Sequence, residues 1–315
     1  MHEELILDDV WYTGYPDWSE MVESAYLEDV VGALAAGGVL SDRTGVLILA
    51  FKSYIGDKAL TDIAVLDEVL DRRSRWIVIY VSDEGGDIPH RLCGRCEVVF
   101  KAYLPDAKLP SNLFHFPVGV ANYENVPDEA SGAEKDINVF FSGNLNEQRF
   151  GLHKQLSGSL LPEALYRRYV QWNGTPRLDL SDRFPDSVIR FSRDWGGGMD
   201  PAAYHRTLGR SKIALCPAGF RTPETFRHFE ALRAGCVVIS EPLPQSNPFY
   251  ETEAVVQVGS YGEMVRRAED LLQDRSRLQT LLETAEQWWE TKCSPRAVAG
   301  YMTARATECI HGTKK

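Results

Sequence analysis

Short, uninterrupted apolar segments alternate along this chain with amphipathic ones, and this alternation limits the possible fold more than any other feature. Clear apolar examples are GVLILAF at 45–51, IVIYV at 77–81 and CVVIS at 236–240. A strand that is apolar on both faces must be covered on both sides, and amphipathic helices can supply that cover. The repeated order strand, helix, strand predicts an α/β fold with parallel, doubly wound sheets.

The apolar segments fall into two groups, separated by a polar stretch that contains Pro and Gly and has no periodicity, NYENVPDEASGAEKD at 122–136. A chain of 315 residues has the length of about two domains. We therefore predict an N-terminal α/β domain over 1–121, a linker over 122–136 and a C-terminal α/β domain over 137–293. A last helix over 294–315, with Ser294 as its N-cap, could pack back on the N-terminal domain.

Charge and hydropathy exclude two classes of protein. The formal net charge of −11 argues against a nonspecific nucleic-acid binder, which needs a basic face to neutralise phosphates. The segment MHEELILDDV does not resemble a signal peptide, and the apolar segments are too short to span a bilayer. We expect a soluble, cytoplasmic protein.

Six cysteines occur, and only Cys93 and Cys96 are spaced like half of a zinc site. Zinc needs four ligands, and no second pair follows at a usual spacing. A redox pair would lie at a helix start after the first strand of its unit, whereas a strand follows this one. We expect neither role.

The most informative segment is CPAGFRTPETFRHFEALRAGC at 216–236. The strand KIALC ends at Pro217, and Ala218 and Gly219 turn the chain. We predict a helix from Pro223 to Ala234, with Thr222 as its N-cap. The start of such a helix, at the carboxyl end of a strand, can bind an anion through its free N–H groups and its dipole.

Two charged residues lie three positions apart on one face of this predicted helix. The planar fork of Arg227 can hold two oxygens of a diphosphate, and Glu230, one turn further, could accept hydrogen bonds from two ribose hydroxyls. The alternative is a local ion pair between them on a half-exposed face. His228 is interpreted as a surface residue or one that stacks on a base.

The stretch SKIALCPAGFRTPETFRHFEALRAGCVVIS resembles the donor-site segment of exostosin-type glycosyltransferases. The matching residues are Thr225, Arg227, Glu230, Ala231, Gly235 and Cys236. FFSGNLNEQR, at the start of the same half, resembles the family's strand with its glycine and downstream arginine. The resemblance implies that Gly143 and Arg149 belong to the donor site, with Arg149 as a second phosphate contact.

The first half contains VSDE, KAY and FPVGV in an order that resembles a subgroup related to ribitol xylosyltransferases. The sequence departs from that pattern at Lys101, which replaces an arginine, and at Val120, which replaces an aromatic residue. Asp83 and Glu84 end a strand, and either could be the base that accepts the acceptor's proton. Asp83 could instead cap the following turn.

Two further residues of the first half are candidate contacts to the acceptor or to the donor phosphate. Lys101 and Tyr103 alternate on one face of a predicted strand near an edge of the first sheet. The default interpretation of Lys101 is a solvated lysine.

The resemblance implies a GT-B fold of two facing Rossmann-like domains, a nucleotide-sugar donor, inversion of configuration and no cofactor or essential metal. Metal-dependent sugar transfer commonly uses Asp-x-Asp at a strand end, and the nearest approach here, Asp179 and Asp182, has a different spacing. We therefore predict a hexosyl- or pentosyltransferase acting on a glycan or small-molecule acceptor, since the acidic balance disfavours a nucleic acid.

Two other functions compete with this one. A catalytically silent nucleotide- or glycan-binding protein with the same fold stays open, because the base is not secured. A dinucleotide-dependent oxidoreductase is disfavoured, because neither half has G-x-G-x-x-G after its first strand.

Overall fold

Two β-sheets organise the part of the chain that the computed structural model describes. The described residues are 2–7, 9–14, 17–38, 40, 43–50, 63–121, 134–174, 178, 180–193 and 198–312. Residues 122–133, which make up most of the predicted linker, lie outside this set.

The first sheet has six strands that follow one another in sequence order. They are β1 (His2–Leu7), β2 (Val10–Gly14), β3 (Thr44–Ala50), β4 (Arg75–Val81), β5 (Val98–Lys101) and β6 (Leu113–His115). β1 and β2 form an antiparallel hairpin, and β2 to β6 run parallel. The hydrophobic pattern does not predict this hairpin, because acidic residues interrupt its apolar positions.

The second sheet has five strands, all parallel, in the order β11-β10-β9-β7-β8. They are β7 (Ile137–Asn144), β8 (Val188–Ser192), β9 (Ser211–Cys216), β10 (Val237–Ser240) and β11 (Val255–Gln257). The chain builds outwards from β7 to β8 and then returns to place β9 on the other side of β7. The strand order therefore reverses between β7 and β9, and in open α/β sheets such a switch point forms a ligand crevice at the carboxyl ends.

Helices connect the strands in both parts of the chain. They are α1 (Ser24–Ala36), α2 (Ile63–Leu70), α3 (His90–Arg95), α4 (Phe150–Ser157), α5 (Glu163–Asn173), α6 (Pro201–Gly209), α7 (Phe226–Arg233), α8 (Tyr261–Gln273), α9 (Arg275–Trp288) and α10 (Pro295–Gly312). The predicted fold class, α/β with two mainly parallel sheets, is confirmed. Among the described helices, none is both long enough and apolar enough to cross a membrane.

The chain divides into two units, and each combines separate stretches of sequence. The first unit consists of Met1–Asn122, Pro244–Phe249 and Glu290–Lys315, and the second of Tyr123–Leu243 and Tyr250–Trp289. The range predicted for the C-terminal domain, 137–293, thus includes two stretches that belong to the first unit. One of them, 244–249, is held there by Asp106, which accepts hydrogen bonds from the backbone N–H groups of Gln245 and Ser246 at 3.0 and 2.9 Å.

The C-terminal helix α10 belongs to the first unit and packs against α1. The hydroxyl of Tyr26 in α1 donates a 2.7 Å hydrogen bond to the carbonyl of Cys293, just before α10. Pro295 is the first residue of α10, and the Ser294 hydroxyl accepts a hydrogen bond from the N–H of Ala297 at 3.3 Å. This is the helix start that the Ser-Pro pair predicts.

Each unit has its own hydrophobic core beside its sheet. In the first unit, β3, β4 and β5 contribute Leu47, Leu49, Val78 and Val99, which pack with Val69 and Leu70 of α2. In the second, β7, β9 and β10 contribute Val139, Phe141, Ile213 and Ile239, which pack with Leu152 of α4, Met264 of α8 and Leu281 of α9.

Candidate functional site

Arg149 lies at the carboxyl end of β7, in a single helical turn over Glu147–Arg149. The side chain of Asn146 caps this turn by accepting a hydrogen bond from the N–H of Arg149 at 3.1 Å. The guanidinium donates from Nη1 to Oδ1 of Asn144 at 2.8 Å and from Nε to the carbonyl of Ala218 at 3.1 Å. Arg149 is 2% exposed and joins the ends of β7 and β9, at the switch point.

Arg227 reaches the same strand end from the first turn of α7. Its Nε donates to the carbonyl of Ser142 in β7 at 3.1 Å. Both guanidiniums lie near the ring of Phe141, with centroid distances of 5.8 Å for Arg149 and 5.9 Å for Arg227. The two cations therefore share one small region.

Gly143 makes room for both arginines. A Cβ atom added there would lie 2.7 Å from Nη2 of Arg227 and 3.1 Å from Nη1 of Arg149. Real Cβ contacts are almost never as short as 2.7 Å, so a side chain at position 143 would displace the end of Arg227.

No carboxylate of the described residues forms an ion pair with either of these two cations. Neither arginine takes part in a salt bridge there. Burial, and next the charge of Arg227, lower the pKa of Arg149 to about 9, while Tyr261 and Glu241 offset part of that effect. Two adjacent, partly desolvated cations without a carboxylate partner form a site for a multiply charged anion.

The helix that carries Arg227 begins later than the sequence predicts. α7 runs over Phe226–Arg233, and Thr225 is its N-cap, so the predicted start at Pro223 with Thr222 as N-cap is wrong. Thr222 instead closes a tight loop, because its carbonyl accepts from the N–H of Gly219 at 2.9 Å and its hydroxyl from the N–H of Glu224 at 3.2 Å.

The end of α7 matches the sequence prediction more closely. Gly235 lies two residues past Arg233 and has φ +64°, which glycine adopts without a Cβ penalty. A Cβ at this position would also lie 2.7 Å from Cγ of Glu286. Glycine is therefore required for the turn into β10.

His228 contradicts its predicted surface or base-stacking role. It is fully buried, and its Nε2 lies 2.7 Å from Oγ of Ser240. Its Nδ1 accepts a hydrogen bond from the N–H of Thr225 at 3.3 Å, which helps to cap α7. Burial lowers the pKa of His228 to about 4, so the ring is neutral and structural.

Glu230 does not pair with Arg227, so the predicted alternative of a local ion pair is wrong. No salt bridge joins the two within the described residues. Glu230 is 4% exposed, and its Oε2 accepts a 2.7 Å hydrogen bond from the hydroxyl of Tyr204 in α6. Glu230 and Arg227 both lie in α7, the helix that follows the loop after β9.

Two residues of the site carry no recognisable sequence signal. Glu241, which follows β10, accepts a hydrogen bond from the N–H of Ala218 at 2.7 Å. The hydroxyl of Tyr261, at the start of α8, lies 2.9 Å from the same carboxylate oxygen. Together they fix the loop after β9, whose Ala218 carbonyl accepts from Arg149.

The first unit buries the two oppositely charged candidates against each other. Nζ of Lys101 lies 3.1 Å from Oδ2 of Asp83, and both side chains are almost completely buried. The interpretation of Lys101 as a solvated lysine is therefore wrong. The ammonium also lies 5.0 Å from the ring centroid of Tyr80.

Lys101 belongs to a row of laterally paired residues that crosses the parallel part of the first sheet near its carboxyl end. The row consists of Thr13, Leu49, Tyr80, Lys101 and His115. Four of these five are polar, although all five are buried. Polar side chains buried in a sheet of this kind are unusual, and they mark this end of the first unit as a second candidate region.

The chain around Asp83 is strained and tightly held. Ser82 has φ +63° and Tyr103 has φ +57°, a region that residues other than glycine rarely adopt. Tyr103 lies beyond the end of β5, so its predicted alternation with Lys101 on one strand face is wrong. Oδ1 of Asp83 accepts from the N–H of Gly85 at 3.2 Å, as the turn-capping alternative predicts. Glu84 is half-buried.

Side chains that could bind a metal ion do not cluster among the described residues. Within that set, no group of three or more His, Cys, Asp or Glu side chains could hold a metal ion. Asp182 is described and Asp179 is not. Burial raises the pKa of Cys93 to about 11 and that of Cys96 to about 12, so both remain thiols at neutral pH.

Solved structures provide distant similarities over most of the chain. The DNA-modifying enzyme β-glucosyltransferase, studied with and without uridine diphosphoglucose, aligns with a TM-score of 0.48 and 11% identity over 96% of this chain and 98% of that one. An α-glucosyltransferase in complex with UDP and a 13-mer DNA aligns with a TM-score of 0.46 and 10% identity, over 89% and 83%. Sucrose-phosphate synthase from Thermosynechococcus elongatus aligns with a TM-score of 0.43 and 13% identity, over 96% and 74%.

Sequence comparisons give one family. A search of curated proteins finds no match to this chain. The family described as glycosyl transferase-like matches residues 147–303, a range that contains Arg149, Arg227 and Glu230. The C-terminal half of the chain is thus similar to the glycosyl transferase-like family.

Proposed function

We propose that this protein is a glycosyltransferase that moves a hexosyl or pentosyl group from a nucleoside diphosphate sugar to an acceptor hydroxyl. The observation that carries the proposal is the pair Arg149 and Arg227, two cations at a switch point with no salt bridge to any described residue. A structural arginine pair would be expected to have carboxylate partners.

The donor would be held by both cations and by the carboxylate of Glu230. The guanidiniums would bind the diphosphate, and N–H groups at the start of α7 would add their dipole. Glu230 lies one turn further along the same helix and could accept hydrogen bonds from the ribose hydroxyls. Gly143, Gly219, Thr222 and Thr225 would shape the backbone around the phosphates.

Bond cleavage places negative charge on the departing nucleoside diphosphate. Arg149 and Arg227 would stabilise that charge as it develops, which is the contribution that a divalent cation makes in other sugar transferases. Metal independence, inversion and an exostosin type nearest to ribitol xylosyltransferase-like members are parts of the proposal that depend on the sequence resemblance alone.

A base must accept the proton of the acceptor hydroxyl, and the proposal assigns this role to the VSDE segment. Asp83 is ion-paired with Lys101 and buried, whereas Glu84 is only half-buried. Burial therefore favours Glu84 as the base and Asp83 as the residue that holds the loop. Lys101 and Tyr103 would line the acceptor region, and the acceptor would be a glycan or a small molecule.

A second candidate function is a nucleotide- or glycan-binding protein that has lost catalysis. The Asp83–Lys101 ion pair favours it, because it removes one of the two candidate bases from direct contact with an acceptor. The two functions share the donor site and differ only in turnover.

Release of nucleoside diphosphate from a panel of UDP-, GDP-, ADP- and TDP-sugars tests the proposal. We expect one donor to be turned over by the wild type, with turnover lost in Arg227→Ala and in Glu84→Gln. Arg233→Ala, an exposed arginine on the same helix, is the matched control and should retain activity. Nucleotide binding without release of product from any donor would favour the binding protein instead.

A further inference from the structure

Tyr204 and Glu230 form a buried polar contact between α6 and α7. The tyrosine hydroxyl donates a 2.7 Å hydrogen bond to Oε2 of the carboxylate. Tyr204 is 9% exposed, and Glu230 is 4% exposed. The two residues come from helices on either side of β9 in the sequence.

The ring of Tyr204 already has a packing role that phenylalanine could fill. It meets the ring of Phe140 in β7 edge to face, with centroids 5.2 Å apart and an interplanar angle of 70°. The hydroxyl adds nothing to this apolar contact, since its hydrogen bond is directed at Glu230. Glutamate is almost never fully buried without a partner, and the Tyr204 hydroxyl supplies one for Glu230.

The hydrogen bond also fixes the direction of the carboxylate. Glutamate has three rotatable side-chain bonds, so an unanchored carboxylate at the edge of a crevice samples several rotamers. An oxygen tied to a hydroxyl on a separate helix limits that freedom. Glu230 and Arg227, the candidate diphosphate contact, lie three residues apart in the same helix, α7.

We propose that Tyr204 is a positioning residue which sets the preference of the site for ribose over deoxyribose. This inference rests on the proposed function, in which Glu230 accepts hydrogen bonds from the ribose hydroxyls. A buried carboxylate aimed at two vicinal hydroxyls loses one partner when the 2′-hydroxyl is absent, and sites built to bind a hydroxyl reject ligands without it. Without the Tyr204 hydroxyl, the carboxylate of Glu230 loses the hydrogen bond that sets its direction, and the preference declines.

The test measures dissociation constants by titration calorimetry for UDP, GDP, ADP and CDP and for their 2′-deoxy forms. For the ribonucleotide that binds best, we expect the wild type to prefer it about 10- to 100-fold over its 2′-deoxy form, the ratio for one hydrogen bond to a charged group. In Tyr204→Phe that ratio should fall below about threefold, through weaker binding of the ribonucleotide alone.

Tyr166→Phe is the matched control. Its hydroxyl lies 2.7 Å from Nδ1 of the buried His153, in the same unit, so this variant also loses one buried tyrosine hydrogen bond. It should keep the wild-type ratio. Glu230→Gln is the second variant, which decides the question if Tyr204→Phe does not fold, and its ratio should also fall.

Each other outcome has one meaning. An unchanged ratio in Tyr204→Phe, or in Glu230→Gln when the first variant is unfolded, overturns the inference and leaves the proposed function intact. If the wild type binds the ribonucleotide and its 2′-deoxy form equally well, the inference is likewise overturned and the proposed function is left intact. A wild type that binds none of the eight nucleotides overturns the proposed function and this inference together.

Discussion

The guanidiniums of Arg149 and Arg227 lie over one backbone position, Gly143, although they come from different elements of the second unit. Arg149 ends the turn after β7, and Arg227 projects from α7. Each is anchored through Nε to a backbone carbonyl, of Ala218 and Ser142 respectively. Such bonds hold a guanidinium in place without neutralising it, so the charge stays available to an anion.

Replacing Arg227 should abolish nucleotide binding without lowering the stability of the ligand-free protein. In Arg227→Gln we expect the ligand-free protein to keep its free energy of unfolding or to gain up to about 1 kcal/mol, because a like charge beside Arg149 is removed. Stabilisation by nucleoside diphosphates should disappear. Urea unfolding with and without nucleotide measures both effects, and a large loss of stability in the ligand-free variant would show that Arg227 is structural.

A methyl group at Gly143 should weaken anion binding at a small cost in stability. Gly143→Ala would push Nη2 of Arg227 away from its 2.7 Å approach, and the end of a long side chain can move cheaply. We expect about a tenfold loss in nucleotide affinity, which corresponds to about one hydrogen bond to a charged group. Gly300→Ala, where a Cβ would meet no atom within 4 Å, is the control and should bind as the wild type does. Equal affinities in the two variants would contradict the crowded geometry.

Nucleotide binding should weaken at alkaline pH. The pKa of Arg149 lies near 9, below its ordinary value, so its charge is present at neutral pH and lost as the pH rises through about 9. The affinity should therefore fall between pH 8 and pH 10, as calorimetry at several pH values would show. The variant Arg149→Gln keeps any pH dependence that comes from the ligand itself. If its nucleotide affinity changes with pH as that of the wild type does, loss of charge on Arg149 is not the cause of the change.

The buried ion pair of the first unit should matter for folding. Lys101→Met leaves the carboxylate of Asp83 buried without its ammonium partner, and breaking such a pair costs about 3–5 kcal/mol. The double variant Asp83→Leu with Lys101→Met should recover much of that loss, since it removes both charges. Lys108→Met, at an exposed position, is the control. Equal unfolding midpoints for Lys101→Met and Lys108→Met would show that the pair contributes nothing.

Much of the fold follows from the hydrophobic pattern, because buried strands leave a local signature. All seven residues of β3 are buried, and the apolar run GVLILAF predicts that strand directly. The hydrophobic pattern does not, however, predict where α7 starts. Thr222-Pro223 and Thr225 both offer a helix start, and the choice of Thr225 depends on its bond to His228, which is buried beside Ser240.

The two charged residues of α7 are easier to recognise in the sequence than their surroundings in the fold. The pattern Arg227-x-x-Glu230 identifies both charges, but it cannot show whether they pair with each other. The structure separates them by giving Glu230 a partner, Tyr204, from a helix 26 positions earlier in the chain. Contacts of that kind depend on tertiary packing, so no local pattern indicates them.

Lys101 shows the same limit in the first unit. A lysine at the end of an apolar strand is usually solvated, and that expectation fails because Asp83 lies within 3.1 Å on the neighbouring strand's loop. β4 and β5 are neighbours in the sheet, and this pairing brings Asp83 and Lys101 together. The two residues are far apart in the sequence, so no local pattern predicts their contact.

The most direct test of the donor site is a thermal-unfolding panel with UDP, GDP, ADP, CDP and TDP, run on wild type, Arg227→Ala and Arg233→Ala. A ligand that binds only the folded state stabilises it by about 2.7 kcal/mol at a hundredfold excess over its dissociation constant. The account predicts that at least one nucleoside diphosphate raises the unfolding midpoint of the wild type and of Arg233→Ala but not that of Arg227→Ala. No shift with any nucleotide, or the same shift in all three proteins, would contradict it.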